Sequence, residues 1–541
     1  MQPAVRRSVV LVGVVVPVGV LLAAALPPPT AAPAAVRSHR ASSSSAPGAS
    51  GAPSAPSAPS APPVHICGNR SVLRGPSTVP TGAVRMAAGT DVPTSTFTPN
   101  TTYWLAPGVH TIGDGADDQF DPATGDTFVG APGAVLSGQG SNNFAFGGNA
   151  PGVTIRFLTI EHFVAPQNEG VVNQGSASGW TIQNDTIEDN PAGAGAMLGT
   201  NDVLADDCLT RNGQYGFQSY STAGPRHVTV TGDEISFNDT ADYTGHTSGC
   251  GCSGGAKFWY TRGATVTGNY VHDNGSVGLW ADTDNTGIDF SKNYFADNYG
   301  PAIQYEISYN AQITDNTFVG NAVGAGPTNP GFPEAAVYLS ESGSDSRVPG
   351  PYGSTFDISR NVFVDNWSGV VLWENANRYC GSSANTSTGA CTLVTPRTYT
   401  PKSCARHVPS SAPGQTPDYY GDCRWKTQDV TVSHNVFTFT PARVGHHCTA
   451  ANECGFNGLF SEYGTYRPFL AWTVPDDVAN DQHDHFSDNT YRGPWRFMAF
   501  AQGSAVSWAQ WSKGFADASG SGDQFAAQDA GSTYVGRAPS G

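Results

Sequence analysis

Asn269-Tyr270-Val271-His272-Asp273-Asn274, Asn293-Tyr294-Phe295-Ala296-Asp297-Asn298 and Asn316-Thr317-Phe318-Val319-Gly320-Asn321 are three readings of one six-residue motif. Each has Asn or Asp, any residue, an apolar residue, two further residues and then Asn. Further copies begin at Asp185, Asp207, Asp233 and Asn361, making seven in all. Their second Asn residues are Asn190, Asn212, Asn238, Asn274, Asn298, Asn321 and Asn366, separated by 22, 26, 36, 24, 23 and 45 residues. The base period is therefore 22–26 residues, lengthened twice by insertion. Half-copies stand at Asn435-Val436-Phe437, at Asn489-Thr490-Tyr491 and, earlier, from Leu158 to Phe163.

A period this short, filled with brief apolar–polar strands, is the signature of a solenoid. Leucine-rich repeats share the period, but their Leu ladder is absent. Each repeat reads strand, turn with Asn, strand, turn with Asn, strand. Asn tolerates left-handed backbone angles in sharp turns, and stacked Asn side chains can hydrogen-bond along the axis. The expectation is an all-β, single-stranded parallel solenoid with loop insertions. It resembles the right-handed parallel β-helix of the pectin-lyase-like superfamily. Thr102-Tyr103-Trp104-Leu105-Ala106-Pro107-Gly108-Val109-His110, followed by Gly130-Ala131-Pro132-Gly133-Ala134-Val135-Leu136-Ser137-Gly138, looks like that superfamily's first coil. The resemblance covers roughly residues 97–505.

Composition agrees with this and excludes other classes. The chain has 541 residues, only 13% of them charged, and a formal net charge of −17. A long-helix protein would be far richer in charge and in Ala, Glu, Lys and Leu. A nucleic-acid binder would show a basic face. A polytopic membrane protein would show more than one long apolar run.

The one such run spans Ser8 to Leu26, behind Arg6 and Arg7 and ending near Ala23, Ala24 and Ala25. Residues 1–26 read as an export signal, or as a single N-terminal membrane anchor, since 19 apolar residues approach the length of a bilayer span. Residues 27–63 are Ala-, Pro- and Ser-rich and read as an extended, disordered spacer. They precede a β-helix domain over 64–541. Residues 1–63 hold four Arg and no acid, leaving 23 basic against 44 acidic residues and a domain charge of −21. The expected location is secreted or extracellular, with or without a membrane tether.

Export favours disulfides among the ten Cys. Cys380, Cys391, Cys404 and Cys423 fall in an insertion at about 379–428, and Cys448 and Cys454 bracket a short loop. Cys67 opens the domain, Cys250 and Cys252 form C-x-C, and Cys208, in a strand pattern, reads as a buried thiol. No C-x2-C pair signals structural zinc. His446-His447 and His483-x-His485 read as surface loop histidines rather than metal ligands. Trp508 and Trp511 read as a cap on the last coil.

Insertions in a solenoid gather on its binding side. Here they lie at Asp239–Gly254, Ala322–Glu334, Glu341–Ser354 and Tyr379–Gln428. Counting eight residues on from each second Asn, with allowance for insertions, gives a column of Tyr220, Trp259, Asp282, Glu306, Ser340 and Glu374. Strand side chains alternate faces. The same face therefore also shows Gln218, Lys257, Trp280, Gln304, Tyr338 and Leu372. Residues between them, such as Phe258, Leu279, Tyr305, Val371 and Trp373, should point inward. Aromatic faces beside hydrogen-bonding groups suit sugar rings. Adjacent coils stack about 4.8 Å apart, so Asp282 and Glu306 should hold their carboxyls roughly 5 Å apart. That is the retaining-glycosidase spacing of about 5–5.5 Å rather than the wider inverting one. Two close carboxylates also favour keeping one protonated. Tyr309 and Asp284-Asn285 are placed at the groove as binding residues, and Glu374 at a distant subsite.

Trp280-Ala281-Asp282 on one coil and Glu306-Ile307-Ser308 on the next resemble the W-x-D and E-[IV]-S pair of β-helical xylosidases, glycoside hydrolase family 120. The resemblance implies Asp282 as nucleophile and Glu306 as acid/base. It spans about 45 residues, from Gly263 to Phe318. Polygalacturonases are set aside: the double acids Asp117-Asp118, Asp206-Asp207 and Asp476-Asp477 have no Arg-Ile-Lys companion.

Three functions fit this face. The first is a retaining glycoside hydrolase on a neutral polysaccharide or oligosaccharide, with no metal and no cofactor. The second is a polysaccharide lyase on uronate polymers, with Lys257 as base and Ca2+ as a possible aid. The third is a non-catalytic glycan-binding or structural β-helix. Fold alone does not choose between them.

Overall fold

A computed structural model describes residues 62–89, 97–246, 253–346, 353–375, 426–462, 477–501, 503–516 and 524–536. The calls on the leader, Cys250 and Cys252 lie outside these residues, as do the spacer up to 61 and the insertion from 379 to 425. Most short strands follow one another in threes and pair in parallel with their equivalents in the next coil, while Ala505–Val506 adds to the third sheet antiparallel. Among the described residues this gives three long sheets of 13, 13 and 11 strands, closing a parallel β-helix.

The motif explains the stacking. Its apolar third residue points inward and meets its counterparts one coil away. Phe295, Phe318, Phe363, Phe437 and Tyr491 form a column with ring centroids 4.5–5.0 Å apart. Its two Asn positions form two buried ladders. In one, Asn190 Nδ2 donates to Asn212 Oδ1 at 2.9 Å, and the chain of donations continues through Asn238, Asn274, Asn298, Asn321 and Asn366. In the other, Asn269, Asn293, Asn316, Asn361, Asn435 and Asn489 do the same. Each rung also donates to a backbone carbonyl left over at the turn, as Asn293 Nδ2 does to Val266 O at 2.8 Å. Buried turns would otherwise strand such groups.

The left-handed residue is not the ladder Asn, as the turn argument expects, but the one before it. Lys292 (φ 58), Asp297 (φ 51), Asp273 (φ 52) and Arg360 (φ 55) take the positive φ. This turns the chain so that the following side chain points into the stack. Asn is required there for its paired donor and acceptor, not for its backbone.

The C-terminal end is covered, as an open solenoid end requires. At the C-terminus the helix Trp508–Lys513, started by a Ser507–Gln510 capping box, lies over the last coil. Fully buried Trp511 donates to Asp529 Oδ2 at 2.7 Å and stacks on Phe497, and Trp508 packs on Tyr491. At the N-terminus, Cys67 is disulfide-bonded to Cys208, tying the first described segment to the second sheet. Cys208 is thus a bridge rather than a buried thiol. Cys448 and Cys454 close their short loop as a second disulfide. No helix among the described residues is long and apolar enough to cross a membrane.

Candidate functional site

The third sheet carries the candidate face on strands Gly254–Trp259, Val277–Asp282, Ile303–Glu306, Val337–Ser340 and Val370–Asn375. Trp259, Asp282, Glu306 and Ser340 are successive cross-strand partners. So are Lys257, Trp280, Gln304 and Tyr338. The alternate residues Phe258, Leu279, Ala281, Ile303, Tyr305 and Leu339 are fully buried in the core. The counted register therefore holds through Ser340.

It fails one coil later. Ser340 pairs with Trp373 and Tyr338 with Val371. Only four residues lead from Asn366 to Val370, against five from Asn298 to Ile303, so the count from Asn slips by one. Val371 and Trp373 consequently face outward, and Leu372 joins the core cluster. Glu374 does not lie on the open face. It is fully buried, accepting from Gln482 Nε2 at 2.9 Å and from the Thr427 amide at 3.4 Å.

Around the two carboxylates the side chains are closely tied. Lys257 Nζ lies 2.8 Å from Asp282 Oδ2, and Thr283 Oγ1 donates to Asp282 Oδ1 at 2.8 Å. The same ammonium sits 4.3 Å from the Trp280 ring centroid and 5.3 Å from that of Trp259. Such cation–π contacts gain strength where water is excluded, and Lys257 is only 2% exposed. Glu306 accepts from Trp280 Nε1 at 3.1 Å on Oε2, and from Ser340 Oγ at 3.3 Å and Tyr338 OH at 3.4 Å on Oε1. Asp282 is the more open of the pair, with its side chain 18% exposed, whereas Glu306 is 3% exposed. Tyr220, Trp259 and Gln304 are half-buried on the same face, and the Tyr220 and Trp259 rings lie 5.3 Å apart.

Beyond Glu306 the face is roofed. Phe332, from the insertion after Asn321, and Ala335 just beyond it cluster with Tyr338, Val371, Trp373, Phe456, Phe460 and Met498. The outward column is therefore open from Tyr220 to Asp282 and closed from Glu306 onward.

Two further expected groove residues lie elsewhere. Asn285 is fully buried in a turn column, donating to Phe258 O, Asp282 O and Ser308 Oγ while its Oδ1 accepts from the Thr261 amide. Tyr309 is also fully buried, beneath residues 343 and 426, its hydroxyl accepting from the Lys426 amide at 2.6 Å. Both are held inside the fold, away from the open part of the face. Asp284, at φ 55 and 7% exposed, is paired with Arg262 Nη2 at 3.3 Å and shapes the turn below the face.

One participant escapes the column count. Glu341 is fully buried next to the column, accepts from Ser340 Oγ at 2.9 Å and from the Asn375 amide at 2.6 Å. Ser340 thus lies between two carboxyl groups, those of Glu306 and Glu341. The signal was present in Ser340-Glu341, an acid directly after a column hydroxyl.

Residues 169–350 match the family described as the right handed beta helix region. No curated relative matches the sequence. Among solved structures, the mannuronan C-5 epimerase AlgE4 A-module of Azotobacter vinelandii is similar at 16% identity and TM-score 0.36, over 54% of this chain and 80% of that one. The AlgE6 A-module from the same organism is similar at 13% identity and TM-score 0.31, over 54% and 79%. PfbA, a surface adhesin of Streptococcus pneumoniae, is similar at 9% identity and TM-score 0.27, over 51% and 79%. Likenesses this distant carry nothing about activity. The chain folds as a right-handed parallel β-helix, and the stretch matching that family holds Lys257, Trp280, Asp282, Glu306 and Tyr338.

Proposed function

We propose that this chain is an exported, carbohydrate-active β-helix protein that hydrolyses a neutral glycan with retention of configuration. The observation that carries the reading is the cross-strand pairing of Asp282 with Glu306 on an outward face, with Lys257 fixed on one and hydroxyl and indole donors on the other. Cα partners one coil apart suit a carboxyl spacing of about 5 Å, the retaining range.

In the first step Asp282 attacks the anomeric carbon as the bond to the leaving oxygen breaks. Glu306 gives that oxygen its proton. In the second step Glu306 takes a proton from water, whose oxygen displaces Asp282 and frees the sugar. Lys257 and Thr283 orient the Asp282 carboxylate. Trp280 leaves Oε1 of Glu306 to partners that can accept as well as donate, Tyr338 and Ser340, so a proton on Oε1 has somewhere to point. Trp259 and Gln304 offer an apolar ring face and a hydrogen-bonding amide to the substrate.

The lyase reading needs Lys257 as a free base. Its ammonium is instead engaged by Asp282 and flanked by two indoles. The domain charge of −21 also repels a polyuronate unless a cation bridges them. The same charge opposes nucleic acid as a partner.

The test is product analysis on neutral and uronate-containing glycans, beside the Asp282→Asn variant. New reducing ends from a neutral glycan, without ultraviolet-absorbing unsaturated products and lost in the variant, support the hydrolase. Unsaturated products would establish a lyase. Glycan binding without any product, unaffected by Asp282→Asn, would establish the binding module.

A further inference from the structure

A second cluster lies on the other side of the solenoid, against the second sheet. Glu234 and His272 belong to neighbouring coils there, in strands Glu234–Ser236 and Tyr270–His272. His65 reaches them from the first described segment. Its Nδ1 is 3.0 Å from Glu234 Oε1, and His272 Nε2 is 3.1 Å from the same oxygen. All three ligand atoms lie within 4.8 Å of one another. Glu234 and His272 are almost fully buried, while His65 is exposed.

A neutral His272 does not satisfy this cluster. His272 Nδ1 lies 2.7 Å from Asp273 Oδ2, so both ring nitrogens face carboxylate oxygens. A neutral imidazole has one N–H and can serve only one of them. The arrangement requires positive charge at Nε2, either a second proton or a metal ion. A metal fits the spacing. Ligand atoms about 2.0–2.2 Å from a tetrahedral Zn2+ lie roughly 3.3 Å apart, close to the contacts observed. The remaining groups are placed as a metal site places them. Asp273 holds the far nitrogen of His272, the carboxylate–histidine–metal arrangement that fixes tautomer and ring direction. Glu234 Oε2 is held by the Ile66 amide at 2.6 Å and the Cys67 amide at 3.0 Å, leaving Oε1 to bind. Tyr270 stacks on His272 at 4.0 Å, walling one side.

We infer that His65, Glu234 and His272 form a binding site for a divalent transition metal of the Zn2+ class, with a fourth position open beside His65. Two imidazoles and one carboxylate are borderline donors that suit Zn2+ and not Ca2+. The site spans 169 residues of sequence between His65 and Glu234 and lies two residues from the Cys67–Cys208 bridge. Metal and disulfide together clamp the segment where the Pro-rich spacer enters the domain.

The full chain, stripped with chelator and dialysed, is titrated with Zn2+ by calorimetry and read by X-ray absorption at the zinc edge. The expected result is one tight equivalent bound by two imidazoles and one carboxylate oxygen. His65→Ala, an exposed change that leaves the core untouched, should weaken that equivalent at least tenfold, and Asp273→Asn about tenfold or more. Zn2+ should raise the unfolding midpoint of the wild type and not of His65→Ala. Zinc binding that is absent, or equal in wild type and His65→Ala, would overturn the assignment. A doubly protonated His272 would then supply the charge, and any residual binding would belong elsewhere, as at His446–His447.

Discussion

Asp282 and Glu306 sit opposite one another because a 24-residue interval separates Asn274 from Asn298, with no insertion between the two strands. Asp282→Asn keeps the shape and removes the nucleophile. It should lower kcat by about three orders of magnitude or more while changing KM little, as expected for a group acting in the transition state. Glu306→Gln should fall by a similar factor on substrates with poor leaving groups, and by much less on an activated aryl glycoside, which needs no proton. Steady-state kinetics on the two substrate types check both. The pair was legible in the sequence because a fixed period carries register across neighbouring coils. Glu374 was not, because a turn shortened by one residue inverts the faces of its strand. The burial of Tyr309 was not either, because the loop residues that cover it, at 343 and 426, lie outside the repeat.

The ladders govern stability at the scale of the element. In the first coils the ladder is Asp185–Asp207–Asp233 before it becomes Asn269, each Asp's backbone amide donating to the side-chain oxygen of the next rung at 2.7–2.9 Å. An Asn rung donates onward through its amide, which an ionised Asp cannot do. Asp233 Oδ2 has no hydrogen-bond partner among the described residues. Burial pushes Asp185 up to about 8, and pushes Asp207 and Asp233 well above the usual carboxylate range. A raised native value means that the neutral form is the one that fits. Stability from these groups is full below about pH 4 and is lost as pH rises through the folded value, near 8 for Asp185. Asp233→Asn should therefore raise stability at pH 8 by about 1–3 kcal/mol and flatten the pH dependence. Denaturant unfolding at pH 5 and pH 8 checks this. Asn293→Ala should cost about 1–3 kcal/mol at either pH, because it leaves buried ladder groups without partners. The ladder itself was readable as the repeat. The division of labour between the left-handed residue and the Asn after it was not, since both types are common in turns.

Among the described residues the coils share one continuous core, covered at its C-terminal end by the helix Trp508–Lys513, so damage at an end should travel. The Cys67–Cys208 bridge closes 141 residues of chain, and replacing both cysteines by Ser should cost about 2–4 kcal/mol in denaturant unfolding. The domain's charge of −21 should make any binding of an acidic glycan rise with ionic strength and leave that of a neutral glycan nearly unchanged. Insertions roof one end of the third sheet and leave the other open, which places the substrate over Tyr220, Trp259 and Asp282. The central claim is that this face holds a retaining carboxylate pair. Proton NMR of the first-formed product from a neutral oligosaccharide tests it most directly. The account predicts the substrate's own anomer, relaxing later to the equilibrium mixture, and no product from Asp282→Asn. The opposite anomer at the earliest time, or undiminished product from Asp282→Asn, would contradict it.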